Sequence, residues 1–372
     1  MTLQRTSRIA ALFAAGSLAL VACGGSGEST GTGSADPSSS SGGGDTKSSL
    51  SGTISGAGAS SQSAAMQGWI AGFQEKNEDV TVNYDPVGSG GGREQFTAGG
   101  VDFAGSDRAL KPEEITEAAK RCPGGTAVDL PLYISPIAVA FNLDGIKSLN
   151  LKPNTIAMIF NQKIKNWNDP ALKADNPDAK LPDLAITPVN RSDDSGTTEN
   201  FTDYLAETAG ADWPYEADGV FPVAGGEAAN GTSGVIAAIK AGKGAIGYAD
   251  ASQVGDLGTV SVGVGSEFVE YSPEAAAAVV AGSPRDTERE KGDIVIKLAR
   301  DTTKSGEYPI VLVSYSLACT KYEDAKQGEL VKAFLTYIAS EDGQKAAEAA
   351  AGSAPISDEL RTEVESSIEA IG

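Results

Sequence analysis

Thr53-Ile54-Ser55-Gly56-Ala57-Gly58-Ala59-Ser60-Ser61 reads as a short strand that runs into a glycine-rich turn. Behind it Met66, Trp69, Ile70 and Phe73 recur at helical spacing, and Val80-Thr81-Val82-Asn83-Tyr84 reads as a second strand. Strand, turn, helix and strand in that order is the βαβ unit of a parallel sheet. The grammar continues down the chain. Pro112 followed by Glu113 and Glu114 marks a helix start, and 128–141 is an extended apolar run interrupted by Pro131 and Pro136. Helical patterns lie near 153–162, 197–207, 232–241 and 273–282, and strand-like segments at 186–190, 245–248, 259–264 and 309–317. Leu330, Val331, Phe334, Leu335 and Ile338 form one helical face, and 357–370 reads as a terminal helix. No solenoid repeat is present. The alternation predicts an α/β architecture with ligands bound beyond the carboxyl ends of the strands.

Two later stretches share the character of the first turn: Gly88-Ser89-Gly90-Gly91-Gly92-Arg93 and Arg191-Ser192-Asp193-Asp194-Ser195-Gly196-Thr197. Each leads into a helical pattern. A helix N-terminus presents unpaired N–H groups and partial positive charge, glycine admits close backbone approach, and Ser, Thr and Arg add donors. Three such starts point to one shared oxyanion. Composition makes that local: with 29 Lys and Arg against 50 Asp and Glu the formal charge is −21, so the overall field repels anions and gives no reason to expect nucleic acid. The chain has no histidine, which removes Ser-His-Asp and Cys-His catalysis, a histidine base and His-ligated zinc together.

At the N-terminus Arg5 and Arg8 precede an apolar stretch, 9–22, too short for a comfortable membrane span. It ends Leu20-Val21-Ala22-Cys23, which resembles the lipobox of bacterial lipoproteins. Residues 1–22 are therefore expected to be a signal peptide, Cys23 the lipidated first mature residue, and 23–49, rich in Gly, Ser and Thr, a disordered tether. The expected location is outside the cell, lipid-anchored to the outer face of the cytoplasmic membrane. With Cys23 lipidated, Cys122 and Cys319 remain as a pair in an oxidising compartment and are expected to be bonded, two buried free thiols being the alternative.

The glycine-rich stretches occur together with Val101-Asp102-Phe103-Ala104-Gly105-Ser106-Asp107, Asn230-Gly231-Thr232-Ser233-Gly234-Val235 and Gly244-Ala245-Ile246-Gly247-Tyr248. In that order, and behind a lipoprotein signal, they resemble the phosphate-binding protein of the bacterial phosphate-specific ABC transporter from Leu50 to the C-terminus. The resemblance implies a two-lobed, type II periplasmic-binding-protein-like fold with two crossover strands and the ligand in the interlobe cleft. Residues 50–132 with 312–372 would form lobe one, and 133–311 lobe two. Ser60, Ser61 and Ser89 would donate to phosphate from lobe one, and Arg191, Ser195, Gly196 and Thr197 from lobe two. Asp193 would orient Arg191, and Asp107 would accept the proton that phosphate retains and sulfate lacks. Ser61 stands where the family commonly carries an aromatic residue. The implied partners are inorganic phosphate and a membrane permease with ATPase subunits; no cofactor, metal or catalytic residue is implied.

Other readings rest on weaker patterns. A phosphoester hydrolase with Ser89 or Ser195 as nucleophile needs a base or a metal cluster that the sequence does not offer. Another oxyanion, or an adhesin with a vestigial pocket, keeps the fold and changes the ligand. Gly242-Lys243-Gly244 lacks the Ser or Thr and the spacing of a P-loop. Asp193-Asp194 read alone would be solvated acids or a helix cap, Asp102 reads as structural, and Trp69 and Trp167 as packing residues.

Overall fold

The computed structural model describes residues 50–372; the segments expected to be a signal peptide and a tether, with Cys23 between them, lie outside the described residues. The opening unit is β1 (Gly52–Gly58), α1 (Ser63–Lys76) and β2 (Val80–Asp85), with β1 and β2 parallel. Then come α2 (Ser89–Thr97), β3 (Phe103–Ser106), α3 (Pro112–Arg121) and the long β4 (Ala127–Phe141). The middle of the chain adds β5 (Ser148–Leu151), α4 (Pro153–Phe160), α5 (Pro170–Asp175), β6 (Thr187–Arg191), α6 (Gly196–Thr208), β7 (Glu227–Ala229), α7 (Gly231–Ala241) and β8 (Ala245–Asp250). After β9 (Gly258–Val264), β10 (Glu267–Val269) and α8 (Pro273–Gly282), β11 (Val311–Cys319) returns to the start, followed by α9 (Ala325–Ala339), α10 (Glu341–Ala351) and α11 (Asp358–Glu369).

The strands divide into two sheets that share β4. One runs β2-β1-β3-β11-β4; in the other, β4 pairs with β8 and β9, and β8 leads on to β6 and β7. The changeover is sharp: β4 pairs with β11 from Ala127–Cys319 to Pro136–Val311, then with β8 from Ile137–Asp250. Every residue of β4 is buried. The two prolines that punctuate this run in the sequence do not break it. Pro131 lies beside a register shift at Ser314/Tyr315, and Pro136 sits at the changeover, both places where a ladder tolerates a missing N–H. Two lobes, each an α/β sheet, are joined through this strand and the return into β11, which is the two-lobed α/β fold with crossover strands.

The helical periodicities become buried faces. Met66, Trp69 and Phe73 of α1 and all five apolar positions from Leu330 to Ile338 on α9 are buried, while Ile70 is half-buried. Phe73 and Phe103 both pack on Phe334, with ring centroids 5.2 and 5.5 Å apart. Trp69 and Trp167 are fully buried, each donating Nε1–H to a backbone carbonyl, of Gly343 and Gly244. Asp102 is structural: its Oδ2 accepts from the Ser55 amide and hydroxyl at 2.7 and 3.0 Å. Cys122, after α3, and Cys319, ending β11, form a buried disulfide.

That disulfide closes a loop of 197 residues, for which chain-entropy reasoning gives an upper limit on the order of 5 kcal/mol. The double variant Cys122→Ser, Cys319→Ser is expected to lose a substantial part of that free energy in chemical denaturation, and the parent to take up alkylating reagent at these positions only after reduction. Equal unfolding midpoints for parent and variant would remove the disulfide from the stability of the fold.

Candidate functional site

Four helix N-termini meet where the two sheets face each other. The turn 59–62 before α1 and the start of α2 come from the first sheet, and the starts of α6 and α7 from the second. Contacts between their side chains fix the arrangement. The Asp107 carboxylate, just past β3 and 3% exposed, accepts from Ser61 Oγ on Oδ1 at 2.6 Å and from Thr197 Oγ1 on Oδ2 at 2.8 Å. The Asp107 amide donates to Ser89 Oγ at 3.1 Å. A Cβ on Gly196 would lie 2.7 Å from both Asp107 Cβ and Ser89 Oγ, so only a bare backbone lets α6 start against α2. Ser60 Oγ accepts from the Thr232 amide at 3.1 Å and lies equally close to Thr232 Oγ1.

Arg191 ends β6 and is 4% exposed. Its Nε donates to Asp193 Oδ1 at 2.8 Å and its Nη2 to Oδ2, which takes two of the five N–H donors of the fork. Asp193 Oδ1 also accepts from the Gly231 amide at 3.0 Å. Burial would raise the Asp193 carboxyl, but the Arg191 hydrogen bonds and charge and the Gly231 amide outweigh it and hold it below the usual aspartate value. Gly88, at φ 95°, passes close to this pair: a Cβ there would stand 2.4 Å from Asp193 Oδ2. Asp193 is thus an ion-pair partner of Arg191 and Asp194 a half-exposed acid, and neither is the cap. Ser195 caps α6, its Oγ accepting from the Thr198 amide at 3.2 Å, and Asp194 Oδ1 accepts from Arg93 at 3.3 Å.

All nine residues expected at the site are therefore linked: Arg191 through Asp193 to Gly231, next to Thr232 and Ser60; Ser61 and Thr197 to Asp107; Asp107 to Ser89; Ser89 against Gly196; and Ser195 as the cap before it. A cavity of about 370 Å³ beside them is lined by Asp107, Arg108, Glu199, Asn200 and Arg300 among others, and Arg191 is not part of its wall.

The hydroxyls fall into two groups, because each has a single proton. Ser61 and Thr197 use theirs on Asp107. Ser89 and Ser195 accept from backbone amides and keep their own protons to give. With the N–H groups that open α2 and α6, which have no acceptor within their helices, the site offers many donors around one carboxylate acceptor.

Other residues here had no role in the sequence reading. Thr232 lies in a stretch quoted only as a motif. Asn200 donates to the carbonyls of Asp107 and Gly196 at 2.7 and 2.8 Å, and its only sequence signal is its place one turn after Gly196. Tyr248 stacks on Phe201, with ring centroids 4.3 Å apart, and its hydroxyl contacts Thr198 at 2.8 Å, bracing β8 against α6. Among the described residues there is no group of three or more His, Cys, Asp or Glu placed to hold a metal ion, and no helix long and apolar enough to cross a membrane.

Comparison with known proteins gives a consistent set. A family model described as "PBP superfamily domain" matches residues 43–342. Phosphate-binding protein PstS 3 of Mycobacterium tuberculosis is 35% identical over 389 aligned positions that cover all of both chains. PstS 2 of the same species is 33% identical over 343 positions, 90% of each chain. Among solved structures, a high affinity periplasmic phosphate-binding protein (PfluDING) bound with phosphate superposes with a TM-score of 0.68 at 22% identity, covering 85% of this chain and 93% of that one. A phosphate-binding protein from Stenotrophomonas maltophilia gives 0.62 at 20% identity, covering 85% and 94%. At these identities the structural matches speak to fold.

Asp250 ends β8 opposite Ile137, at the changeover in β4, and accepts from the Tyr133 hydroxyl at 3.2 Å and the Ser252 amide at 3.0 Å. Burial pushes its carboxyl up to about 6; the Ser252 and Ser135 hydrogen bonds oppose this, and the charge of Asp107 adds to it. An acid with a raised native pKa holds its proton more tightly folded than unfolded. Its contribution to stability is full below the unfolded value near 3.8 and is lost as pH rises through about 6. Relative to Asp250→Asn, the parent is expected to lose up to about 3 kcal/mol across that window. Parallel stability-versus-pH curves for the two proteins would refute it.

Proposed function

The chain belongs to the PBP superfamily, among its phosphate-binding proteins, and we propose that it captures inorganic phosphate outside the cytoplasmic membrane for an ABC importer. The observation that carries the reading is the Asp107 carboxylate, buried among helix N-termini and held by Ser61 and Thr197. In this reading phosphate receives hydrogen bonds from Ser60, Ser89, Ser195, the Gly196 and Thr197 amides and the Arg191 fork, with Ser61 contributing its amide while its hydroxyl steadies Asp107. Asp193 aims Arg191.

Selectivity follows from counting protons. A carboxylate offers about four lone-pair positions. Two at Asp107 are taken by Ser61 and Thr197, which leaves room for the hydrogen that phosphate carries near neutral pH. Sulfate has none to give, and its charge would face the carboxylate unshared. A site built around such a bond rejects the analogue lacking the partner by roughly 10⁴-fold in favourable cases.

The mechanical part of the proposal assigns 50–132 with 312–372 to lobe one and 133–311 to lobe two, closing on the ligand by bending near the changeover of β4. The closed form would dock on a permease carrying ATPase subunits, and the lipid on Cys23 would hold the protein at the outer face of the membrane. The role is capture and delivery, not catalysis. Ser89 and Ser195, the hydroxyls weighed as nucleophiles, accept from the Asp107 and Thr198 backbone amides, and an amide N–H is a donor and not the base that a nucleophile needs.

Calorimetry with phosphate and sulfate tests the assignment. The parent is expected to bind phosphate and ignore sulfate. Asp107→Asn should bring the two anions closer in affinity, and Arg191→Lys, which replaces a planar fork by a point charge, should weaken phosphate at least tenfold. An unchanged phosphate preference in Asp107→Asn would remove the carboxylate from the selectivity mechanism, and parental affinity in the lysine variant would remove Arg191 from the site.

A further inference from the structure

Most of the segments that bring a polar group to the candidate site also carry, within about one helical turn, a charged side chain that reaches across to the facing segment. Arg93 follows Ser89 by one turn of α2, and its side chain is 3% exposed. Its Nη1 donates to Ser106 Oγ at 3.0 Å, its Nε to Glu114 at 3.0 Å and its Nη2 to Asp194 at 3.3 Å. Arg108, next to Asp107, grips both oxygens of Glu114 at 2.6 and 2.9 Å, and its Nε lies 2.8 Å from Glu199 in the first turn of α6. Lys111 Nζ stands 3.8 Å from the other Glu199 oxygen. Glu114 thus ties two arginines together beside the first sheet, and Asp194 and Glu199 are the acids they meet beside the second.

Asp194 is closely fitted. Its carbonyl accepts from the Gly90 amide at 3.1 Å. A Cβ on Gly90 would lie 2.4 Å from its Cγ, and one on Gly219 would lie 2.2 Å from its Oδ1. Two glycines from different segments therefore leave room for this one side chain.

We propose that Arg93, Arg108 and Lys111 on one side, and Asp194 and Glu199 on the other, are an ionic clasp that forms as the lobes close and retains the bound anion without touching it. The inference rests on the phosphate reading above and deepens it. With the lobes apart, Arg93 and Arg108 share one acid, Glu114, and together with Lys111 face two acids across the gap; closure brings opposite charges into contact in a partly buried setting, where they are screened less than on open surface. Because these contacts exist only in the closed form, their free energy adds to retention and not to capture. Burial would raise the Glu114 carboxyl, but the Arg108 hydrogen bonds, the Lys111 amide and the charge of Arg93 hold it at about 2, so the tie between the arginines persists through neutral pH. For Glu199 burial prevails over Arg108, Lys111 and Arg93 and lifts the carboxyl above its usual value.

Stopped-flow and calorimetry with inorganic phosphate on the full chain compare the parent with Asp194→Asn, Glu199→Gln and the double variant. Asp194 is half-exposed, so its variant tests the clasp even if a change at Glu199 perturbs folding. Phosphate is expected to leave each single variant about fivefold faster and the double variant more than tenfold faster, with association within about twofold of the parent. Equal dissociation rates in parent and double variant, or a loss carried by slower association, overturn the clasp and leave phosphate binding standing. A parent chain that gives no heat with phosphate overturns that reading and the clasp with it.

Discussion

The Asp107 carboxylate accepts one hydroxyl from 46 residues before it and another from 90 residues after it, and the rest of the site is arranged around that pair of bonds. A buried carboxylate left without donors would cost several kcal/mol or take up a proton. Satisfying it requires the turn before α1 and the first turn of α6, which belong to different sheets, to arrive within hydrogen-bond distance of one side chain. The bare backbone of Gly196 is what permits that approach. One carboxylate therefore holds a hydroxyl from each half of the molecule.

A chain of formal charge −21 concentrates donors here with little net positive charge. Helix N-termini supply partial positive charge that is fixed in direction and needs no counter-ion, and in the proposed site Arg191 adds a full positive charge to them. That charge is matched by Asp193, whose two oxygens fix the orientation of the fork, and in the proposed reading a fork so held reorganises little on binding. Among the described residues, Asp194, Glu114 and Glu199 are acids that pair with arginines around the edge of the site. At a Debye length of about 8 Å the field of distant acids is largely screened at physiological salt, which leaves the local donors to set the potential at the site.

Much of this was legible in the sequence because it is local. Met66, Trp69 and Phe73 announce a buried helix face by spacing alone, and Ser195-Gly196-Thr197 announces a capped helix start. What was not legible depends on residues far apart in the chain. Gly90, Gly91 and Gly92 read equally well as a flexible loop, yet they lie inside α2 at a cost of roughly 1 kcal/mol each in helix propensity. The reason is long-range: a Cβ on Gly90 would strike Asp194, and one on Gly92 would fall 2.4 Å from the Gly58 Cα. Pro131 and Pro136 read as interruptions of a strand that is continuous, because a register shift and a change of partner sheet absorb their missing N–H groups. Asn200 and Thr232 gave no local signal, since their partners lie 93 and 172 residues away.

The changeover between sheets and the anion site are joined by a chain of buried polar groups. Arg300 is 3% exposed; its Nη1 donates to the carbonyls of Pro309 and Val311 at 3.2 and 2.6 Å, where the chain returns into β11, and its Nε to Asp203 on α6 at 2.9 Å. Its Nη2 donates to Asn200, whose amide nitrogen holds the carbonyls of Asp107 and Gly196. A buried guanidinium is tolerated only when its donors are matched, so the crossover backbone, α6 and Asp107 cannot shift independently while this set stays intact. In the closure proposed above, bending at the crossover would either carry α6 with it or break hydrogen bonds to a buried cation, and the first course costs less. The same contacts that satisfy Arg300 in the interior thus connect the crossover backbone to α6 and, through Asn200, to the Asp107 backbone.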